Sequence, residues 1–201
     1  MEFYQVIEKR RTTRQFSDKP VEKEKIIRII EAGIKAPTFD HMRNWNFIVI
    51  SDEIAKKNAI SSFIDERPCS IKEPKSPFQE MVKIAFPKQR TMFEQSKVII
   101  LPIFKQHKGI KSEESFGRRY MDVAEIWCVI ENIFLAVANE GLANTMRIPT
   151  DNQPEKILKS VGCSEEYILP CIIGIGYAAE NAEYPTQIYP DFEKCVHWNN
   201  W

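Results

Sequence analysis

The chain has 201 residues, of which 43% are hydrophobic, and its 28 lysine and arginine residues balance its 28 aspartate and glutamate residues. This composition predicts one packed globular domain over 1–201 and gives no reason to expect a nucleic-acid or membrane partner. The five cysteines form no C-x-x-C pair, and with three histidines they show no metal-ligand spacing. We therefore expect reduced thiols, a cytoplasmic protein and no metal site.

Hydrophobic periodicity predicts the elements of the first half of the chain. Phe3, Val6 and Ile7 mark a short amphipathic helix that leads into a cluster of arginines. Isoleucines recur at helical spacing after Pro20, and Pro37 cannot continue that helix. We also expect a strand at 46–50, a helix at 53–64 capped by Asp52, and a long irregular excursion at 65–90, serving as a lid or an arm, with a short helix near 78–86.

The second half contains the longest predicted helix, 113–140, which Gly141 ends. Apolar residues occupy several of its faces, so we expect it to be buried nearly all round. Pro102 indicates an edge position or a bulge for the strand it interrupts. The other expected elements are a strand at 97–104, a turn at 144–149, a helix at 154–161, a strand within 167–178 and a tail at 181–201 without clear periodicity.

Three arginines lie within five positions in the stretch KRRTTRQF at 9–16. Arg10, Arg11 and Arg14 could form a solvated patch at a helix C-terminus, where arginine is favoured. They could also converge on a phosphate, since a guanidinium donates to two oxygens at once and Thr12 would add a hydroxyl. A bend at Thr12-Thr13 would bring the three together, because paired β-branched residues weaken a helix. Taken alone, the cluster favours the solvated patch.

Other chemical motifs are weak. GIGYAA at 174–179 matches the G-x-G-x-x-A form of a dinucleotide fingerprint, but only 22 residues follow it. The second strand and acidic ribose contact of such a site do not fit there, so close packing of a strand end explains the glycines better. His41, His107 and His197 have no nucleophile motif beside them, and hydrolase chemistry finds no support.

Several segments, in order along the whole chain, resemble the flavin-dependent nitroreductase family. RRTTRQFSDKPV at 10–21 is similar to the family's Arg-Arg-Ser-x-Arg-x-Phe stretch and the Pro-Val that opens its next helix. APTFDHMRNWNF at 36–47 is similar to the Ala-Pro, the polar loop and the tryptophan before a Phe-containing strand. A long helix closing on Gly-Leu at 141–142 and a late strand closing on Gly-Tyr at 176–177 complete the resemblance.

The resemblance implies an α+β, nitroreductase-like fold: a central, mostly antiparallel sheet flanked by helices, in an intertwined homodimer with FMN at the subunit interfaces. It implies that the first segment holds the phosphate and ribityl chain, that the loop after Pro37 approaches the isoalloxazine ring from the partner, and that the segment near 146 lines the ring. The cofactor-binding residues so implied are Arg10, Arg11, Thr12, Arg14, Pro37, Thr38, Phe39, Met42, Arg43, Met146, Arg147 and Ile148.

The chain departs from the family pattern at three places. Arg43-Asn44 stands where a Gln-Pro is usual, and Pro149 stands where a backbone N–H is often offered to the flavin. The basic residue that commonly closes the phosphate site near the C-terminus has no clear match, Lys194 being a poor one. These departures leave open whether flavin or nicotinamide binding is altered.

By the same resemblance, reduced nicotinamide would pass hydride to FMN and on to a small oxidised acceptor such as a nitroaromatic or a quinone. NAD(P)H and this acceptor would be the small-molecule partners. Arg43 and Arg147 are candidates for positive charge near the reduced ring. Two alternatives stay open, a flavin-binding sensor without catalysis and an interaction protein that keeps the dimeric fold without the cofactor.

Overall fold

The computed structural model describes residues 1–61, 69–106 and 116–201. In these ranges the helices are α1 (Phe3–Lys9), α2 (Lys23–Ile34), α3 (Glu53–Ile60), α4 (Pro77–Ala85), α5 (Thr91–Gln95), α6 (Phe116–Asn139), α7 (Gln153–Ser160) and α8 (Phe192–Cys195). The strands are β1 (Trp45–Ile50), β2 (Val98–Phe104), β3 (Ala143–Arg147) and β4 (Ile172–Gly176), and short 3-10 turns cover Phe39–His41 and Phe86–Lys88.

The four strands form one antiparallel sheet in the order β1-β2-β4-β3. Every residue of β2 and β4 is buried, as expected for two interior strands covered on both faces. The predicted fold class, a central antiparallel sheet flanked by helices, is confirmed.

Alternate residues of β2 face two separate cores. Ile100 packs with Ile130 and Ile133 of α6 on one side of the sheet. On the other side, Leu101 belongs to a cluster with Phe93 of α5, and Ile60 and Leu158 of α3 and α7 complete that cluster. Full burial of each such side chain contributes about 1.5–3 kcal/mol. The two cores together fix the sheet between two layers of helices.

Pro102 lies in an interior strand, so its predicted edge position is wrong. The proline is tolerated because the pairing of β2 with the β4 side is interrupted at this point. The ladder joins Val98–Ile100 to β4, and only an isolated bridge at Phe104 resumes it. The Phe104 N–H points to that side of β2 and donates to Ile168. Backbone nitrogens two residues apart in a strand point to the same side, so the nitrogen of Pro102 also points to β4, where no ladder partner requires an N–H.

In the single chain, helix α6 is not buried nearly all round. The side that carries Ile126, Ile130 and Ile133 is fully buried, but Val123 and Cys128 lie on an exposed stripe. The prediction missed this stripe because it is itself apolar, so the sequence does not distinguish it from the core side. Residues 113–115 of the predicted helix lie outside the described residues.

The glycines of the weak dinucleotide motif pack closely, as expected. A Cβ on Gly174 would lie 2.9 Å from the Thr145 methyl group, and one on Gly176 would lie 2.9 Å from the Phe16 ring. The chain after β4 opens no helix until Phe192. The close-packing interpretation of GIGYAA is confirmed.

Several predicted helices differ from the observed ones by only a few residues at their ends. Helix α4 confirms the short helix near 78–86, with Pro77 at its start and the Gln79 N–H bonded to Ser76 Oγ. Helix α3 ends at Ile60, and positions 62–64 of its predicted range lie outside the described residues. The predicted turn at 144–149 is wrong, because Ala143–Arg147 forms the edge strand β3.

Candidate functional site

The arginine cluster lies on extended chain beside the sheet. Helix α1 ends at Lys9, and Arg10 already has extended angles of φ −61° and ψ 109°. Thr12 then forms a parallel bridge with Asn144, and the Thr13 N–H donates to the Asn144 carbonyl at 2.8 Å. The segment therefore continues the sheet past its edge strand β3.

Extended geometry divides the cluster between two faces. Arg11 and Thr13 both contact Tyr184: the Arg11 guanidinium lies 5.0 Å from its ring centroid, and Thr13 Oγ1 lies 3.3 Å from its hydroxyl. Arg11 Nη2 also donates to the Pro185 carbonyl at 3.1 Å. Since alternate residues share a face, Thr12 and Arg14 point away from Tyr184. The bend at Thr12-Thr13 that would bring the three arginines together does not form.

Arg14 is half-buried and has an unsatisfied nitrogen. Its Nη1 is fully buried and has no hydrogen-bond partner among the described residues. Burial lowers the pKa of Arg14 by desolvation, yet an arginine keeps its charge at neutral pH. A buried charged donor without an acceptor costs free energy. Arg14 is therefore suited to a ligand that brings an anionic or carbonyl oxygen.

A basic cleft of about 240 Å³ opens beside the same segment. Its lining combines three cations with the polar groups of Thr13, Asn144 and Tyr184, and Arg11 Nε lies buried without a partner in the described part of the chain. Positive charge and unsatisfied donors together suit a phosphate-sized anion. The cations are Lys9, Arg10 and Arg11.

Strand β3 carries the next group of predicted residues. Met146 and Arg147 pair with Ile173 and Ile172 of β4 and are half-buried, whereas Ile148 just beyond the strand is 55% exposed. Because Thr12 bridges to Asn144, this strand and the arginine segment lie side by side.

The loop at 37–43 is held by α6. Thr38 Oγ1 and the Phe39 N–H both donate to the Glu125 carboxylate, at 2.8 and 2.6 Å. Phe39 and Met42 are 47% and 49% exposed, and Pro37 and Arg43 are also exposed. The loop thus presents an apolar surface outward while its backbone is fixed from below.

The two groups of predicted residues attach to different sides of α6. Glu125 holds the loop, whereas Glu131 lies 3.9 Å from Arg10 of the other group. Residues six apart on a helix are roughly 120° apart around its axis and about 9 Å apart along it. One chain therefore anchors the loop and the arginine segment in different directions.

Glu125 was missed by the sequence analysis. The sequence feature that could have identified it is an acidic residue next to Ile126 in the apolar part of the long helix. Acidic side chains are rarely buried unless a partner satisfies them, so such a residue indicates a specific contact. The poor phosphate-site candidate Lys194 is exposed, with its nitrogen 3.4 Å from Asp191. No group that could hold a metal ion occurs among the described residues, and no helix there is long and apolar enough to cross a membrane.

Comparison with known proteins gives three findings. The sequence model of the Nitroreductase family matches residues 7–177. The iodotyrosine deiodinase of Nematostella vectensis is 27% identical over 198 residues, which cover 97% of this chain and 74% of that protein. Iodotyrosine deiodinase 1 of Rattus norvegicus is 25% identical over 186 residues, covering 92% of this chain but 65% of that protein, so the chain spans just under two thirds of its length.

A solved structure is also similar along its whole length. The crystal structure of oxidized iodotyrosine deiodinase bound to FMN and 3-iodo-L-tyrosine has a TM-score of 0.73 at 19% identity, with 100% of both chains covered. At this identity the likeness shows a shared fold.

Proposed function

Because this chain belongs to the nitroreductase family, we propose that it is an FMN-dependent oxidoreductase that passes hydride from NAD(P)H to a small oxidised acceptor such as a nitroaromatic or a quinone. The observation that carries the proposal is the buried Nη1 of Arg14 beside the sheet edge, which has no hydrogen-bond partner among the residues that the structure describes. An anionic, oxygen-rich cofactor would satisfy this charge.

The residues of the arginine segment fit one end of FMN. Arg10, Arg11, Thr12 and Arg14 would hold the phosphate and ribityl chain, since guanidinium groups and a hydroxyl are good donors to their oxygens. Because Arg11 and Arg14 lie on opposite faces of the extended segment, the phosphate and the ribityl chain would use different faces. Met146, Arg147 and Ile148 would line the ring, because β3 runs beside this segment. The hydride chemistry between NAD(P)H and the acceptor is supplied by FMN when it is bound.

The loop residues would complete the site from a second copy. Pro37, Thr38, Phe39, Met42 and Arg43 lie on a loop that α6 anchors in another direction from the arginine segment. A homodimer would bring one copy's loop to the other copy's segment. Arg43 and Arg147 would supply positive charge near the ring.

Exposed apolar residues support this dimer. Val123 on α6 is 38% exposed, and the tail carries Tyr189, Phe192, Trp198 and Trp201 in exposed positions. Phe3 and Tyr4 of α1 are exposed as well. A chain with so much apolar surface is expected to bury it against another chain, and a second copy would do so.

A second candidate function is reductive removal of iodine from an iodinated tyrosine. The observation that favours it is the 27% identity to an iodotyrosine deiodinase over 97% of this chain. This candidate needs the same flavin site and differs in the acceptor.

One anaerobic experiment tests these proposals. Purified protein is saturated with FMN and titrated with NADH or NADPH, and the loss of visible flavin absorbance is followed. Bleaching, then recovery on addition of a nitroaromatic or a quinone, is the expected result. A bound flavin that stays oxidised would indicate the non-catalytic sensor, and protein without affinity for FMN would indicate the cofactor-free interaction protein.

The dehalogenase candidate is tested on the same protein after photochemical reduction of the flavin. Iodide release from 3-iodo-L-tyrosine is measured, with uniodinated tyrosine as the control. Iodide formed at the rate of flavin reoxidation would favour this candidate. Reoxidation by the nitroaromatic with no iodide from iodotyrosine would exclude it.

A further inference from the structure

Glu125 is a buried carboxylate that accepts hydrogen bonds from the 37–43 loop. It is 8% exposed, and it accepts the Thr38 hydroxyl at 2.8 Å and the Phe39 N–H at 2.6 Å. Outside residues 62–68 and 107–119, no lysine or arginine side chain forms an ion pair with it. Because a buried carboxylate is costly unless it is satisfied, these two charge-assisted hydrogen bonds tie the loop firmly to α6.

The loop needs this support because its backbone is unfavourable. His41 has φ 56° and Arg43 has φ 45°, in the left-handed region that residues with side chains seldom adopt. The Arg43 N–H donates to Thr38 Oγ1 with an N–O distance of 3.4 Å. The hydroxyl that donates to Glu125 therefore also accepts a hydrogen bond from the last residue of the loop. Glu125 therefore fixes the direction of the Thr38 hydroxyl, and Thr38 closes the turn.

Helix α6 is itself held in place by packing against the core and α2, so Glu125 has a fixed position. Next to Glu125, Ile126 is fully buried, and further along the helix Asn132 Nδ2 donates to the Ala32 carbonyl of α2 at 3.1 Å. A Cβ on Gly33 would lie 2.9 Å from Ile133 Cγ1, so α2 approaches α6 closely just before the loop begins. The loop is thus held at its entry by helix packing and at its centre by Glu125.

We infer that Glu125 is a positioning residue for FMN: by fixing the 37–43 loop it sets the placement of the groups that approach the isoalloxazine ring. The inference rests on the proposed function and assigns Glu125 no contact with FMN. Its consequence is that removing the carboxylate weakens flavin binding and changes the ring environment without altering the arginine segment.

The test compares Glu125→Ala, Glu125→Gln, Thr38→Val and the double variant Thr38→Val/Glu125→Ala with the unchanged protein. FMN dissociation constants are measured by flavin fluorescence, and the visible absorption spectrum of bound FMN reports the ring environment. The matched control is Glu140→Gln, in the turn that directly follows the same helix, whose carboxylate accepts two hydrogen bonds from Arg28 at the end remote from the loop. Melting of the FMN-free proteins monitors folding.

We expect Glu125→Ala to raise the FMN dissociation constant about 10- to 100-fold, in line with the loss of charge-assisted hydrogen bonds, and to shift the flavin spectrum. Glu125→Gln should have a smaller effect of about 3- to 10-fold, because the amide oxygen can still accept one bond. The double variant should bind no more weakly than Glu125→Ala, since both changes break one connection. The control should match the unchanged protein within about twofold in affinity, while losing stability.

Two results would overturn the inference. If Glu125→Ala, or the volume-preserving Glu125→Gln where the alanine variant does not fold, binds FMN with unchanged affinity and spectrum, the carboxylate does not position the site. In that case the proposed function stands. If the unchanged protein takes up no FMN, the inference and the proposed function fail together.

Discussion

Replacing Arg14 by methionine should separate flavin binding from folding. The change removes the charge and the buried Nη1 that has no acceptor in the described part of the chain, but keeps most of the apolar stem. A hydrogen bond to a charged group contributes about 1.5–3 kcal/mol, so its loss should raise the dissociation constant for FMN roughly 10- to 150-fold.

The same substitution should not destabilise the FMN-free protein. Removing an unsatisfied buried donor relieves about 1 kcal/mol, so the melting temperature should stay unchanged or rise by about 2–4 °C for a domain of this size. Most substitutions at a structural arginine would lower it. Opposite signs for flavin affinity and FMN-free stability are therefore the expected result.

The assay is a fluorescence titration with FMN, paired with thermal unfolding without FMN. Arg28→Met is the matched control, because Arg28 loses the same charge, is bonded to Glu140 at 2.7 and 2.8 Å, and is not among the residues that line the basic cleft. It should keep its flavin affinity and melt slightly lower. Unchanged FMN affinity in Arg14→Met would refute the reasoning and place this arginine outside the flavin site.

Three further outcomes follow from the fold. Gly174→Ala should cost about 1–3 kcal/mol in urea unfolding, because its Cβ would lie 2.9 Å from the Thr145 methyl; an unchanged midpoint would contradict this. Hydrogen bonds from Arg28 lower the pKa of Glu140, so the about 0.2–1 kcal/mol lost in Glu140→Gln should be fully present above the ordinary carboxyl pKa of 4.5 and should disappear as pH falls through the lowered folded-state pKa; a pH-independent difference in melting temperature would contradict this. Val123→Glu should give folded, flavin-poor monomers by sedimentation, and an intact dimer would place the interface elsewhere.

Motif order was the strongest information in the sequence. RRTTRQFSDKPV and APTFDHMRNWNF are separately modest, but their spacing along the chain pointed to the family that the comparison then showed over 7–177. Periodicity also gave α2, α4 and β2 within a few residues, because each has an apolar pattern set by its own neighbours.

Strand β3 shows where local pattern fails. ANTMR has little β-branched or alternating character, and it forms a strand because β4 offers it a ladder and Gly174 leaves space for Thr145. Pro102 led to the opposite error, because it predicted an edge position for what is an interior strand. The proline is tolerated there because the pairing of β2 with β4 stops at Ile100, which the local sequence does not show.

The sequence by itself determined the kind of residues present at the candidate site: guanidinium groups at 10–14 and an apolar loop after Pro37. Only the tertiary structure decided that Arg11 faces Tyr184, that Arg14 Nη1 is buried with no partner among the described residues, and that Glu125 holds Thr38 and Phe39. The physical reason is range. Helix and strand periods are set by residues a few positions apart, whereas the orientation of a charged group depends on which distant segment supplies its partner or leaves it without one.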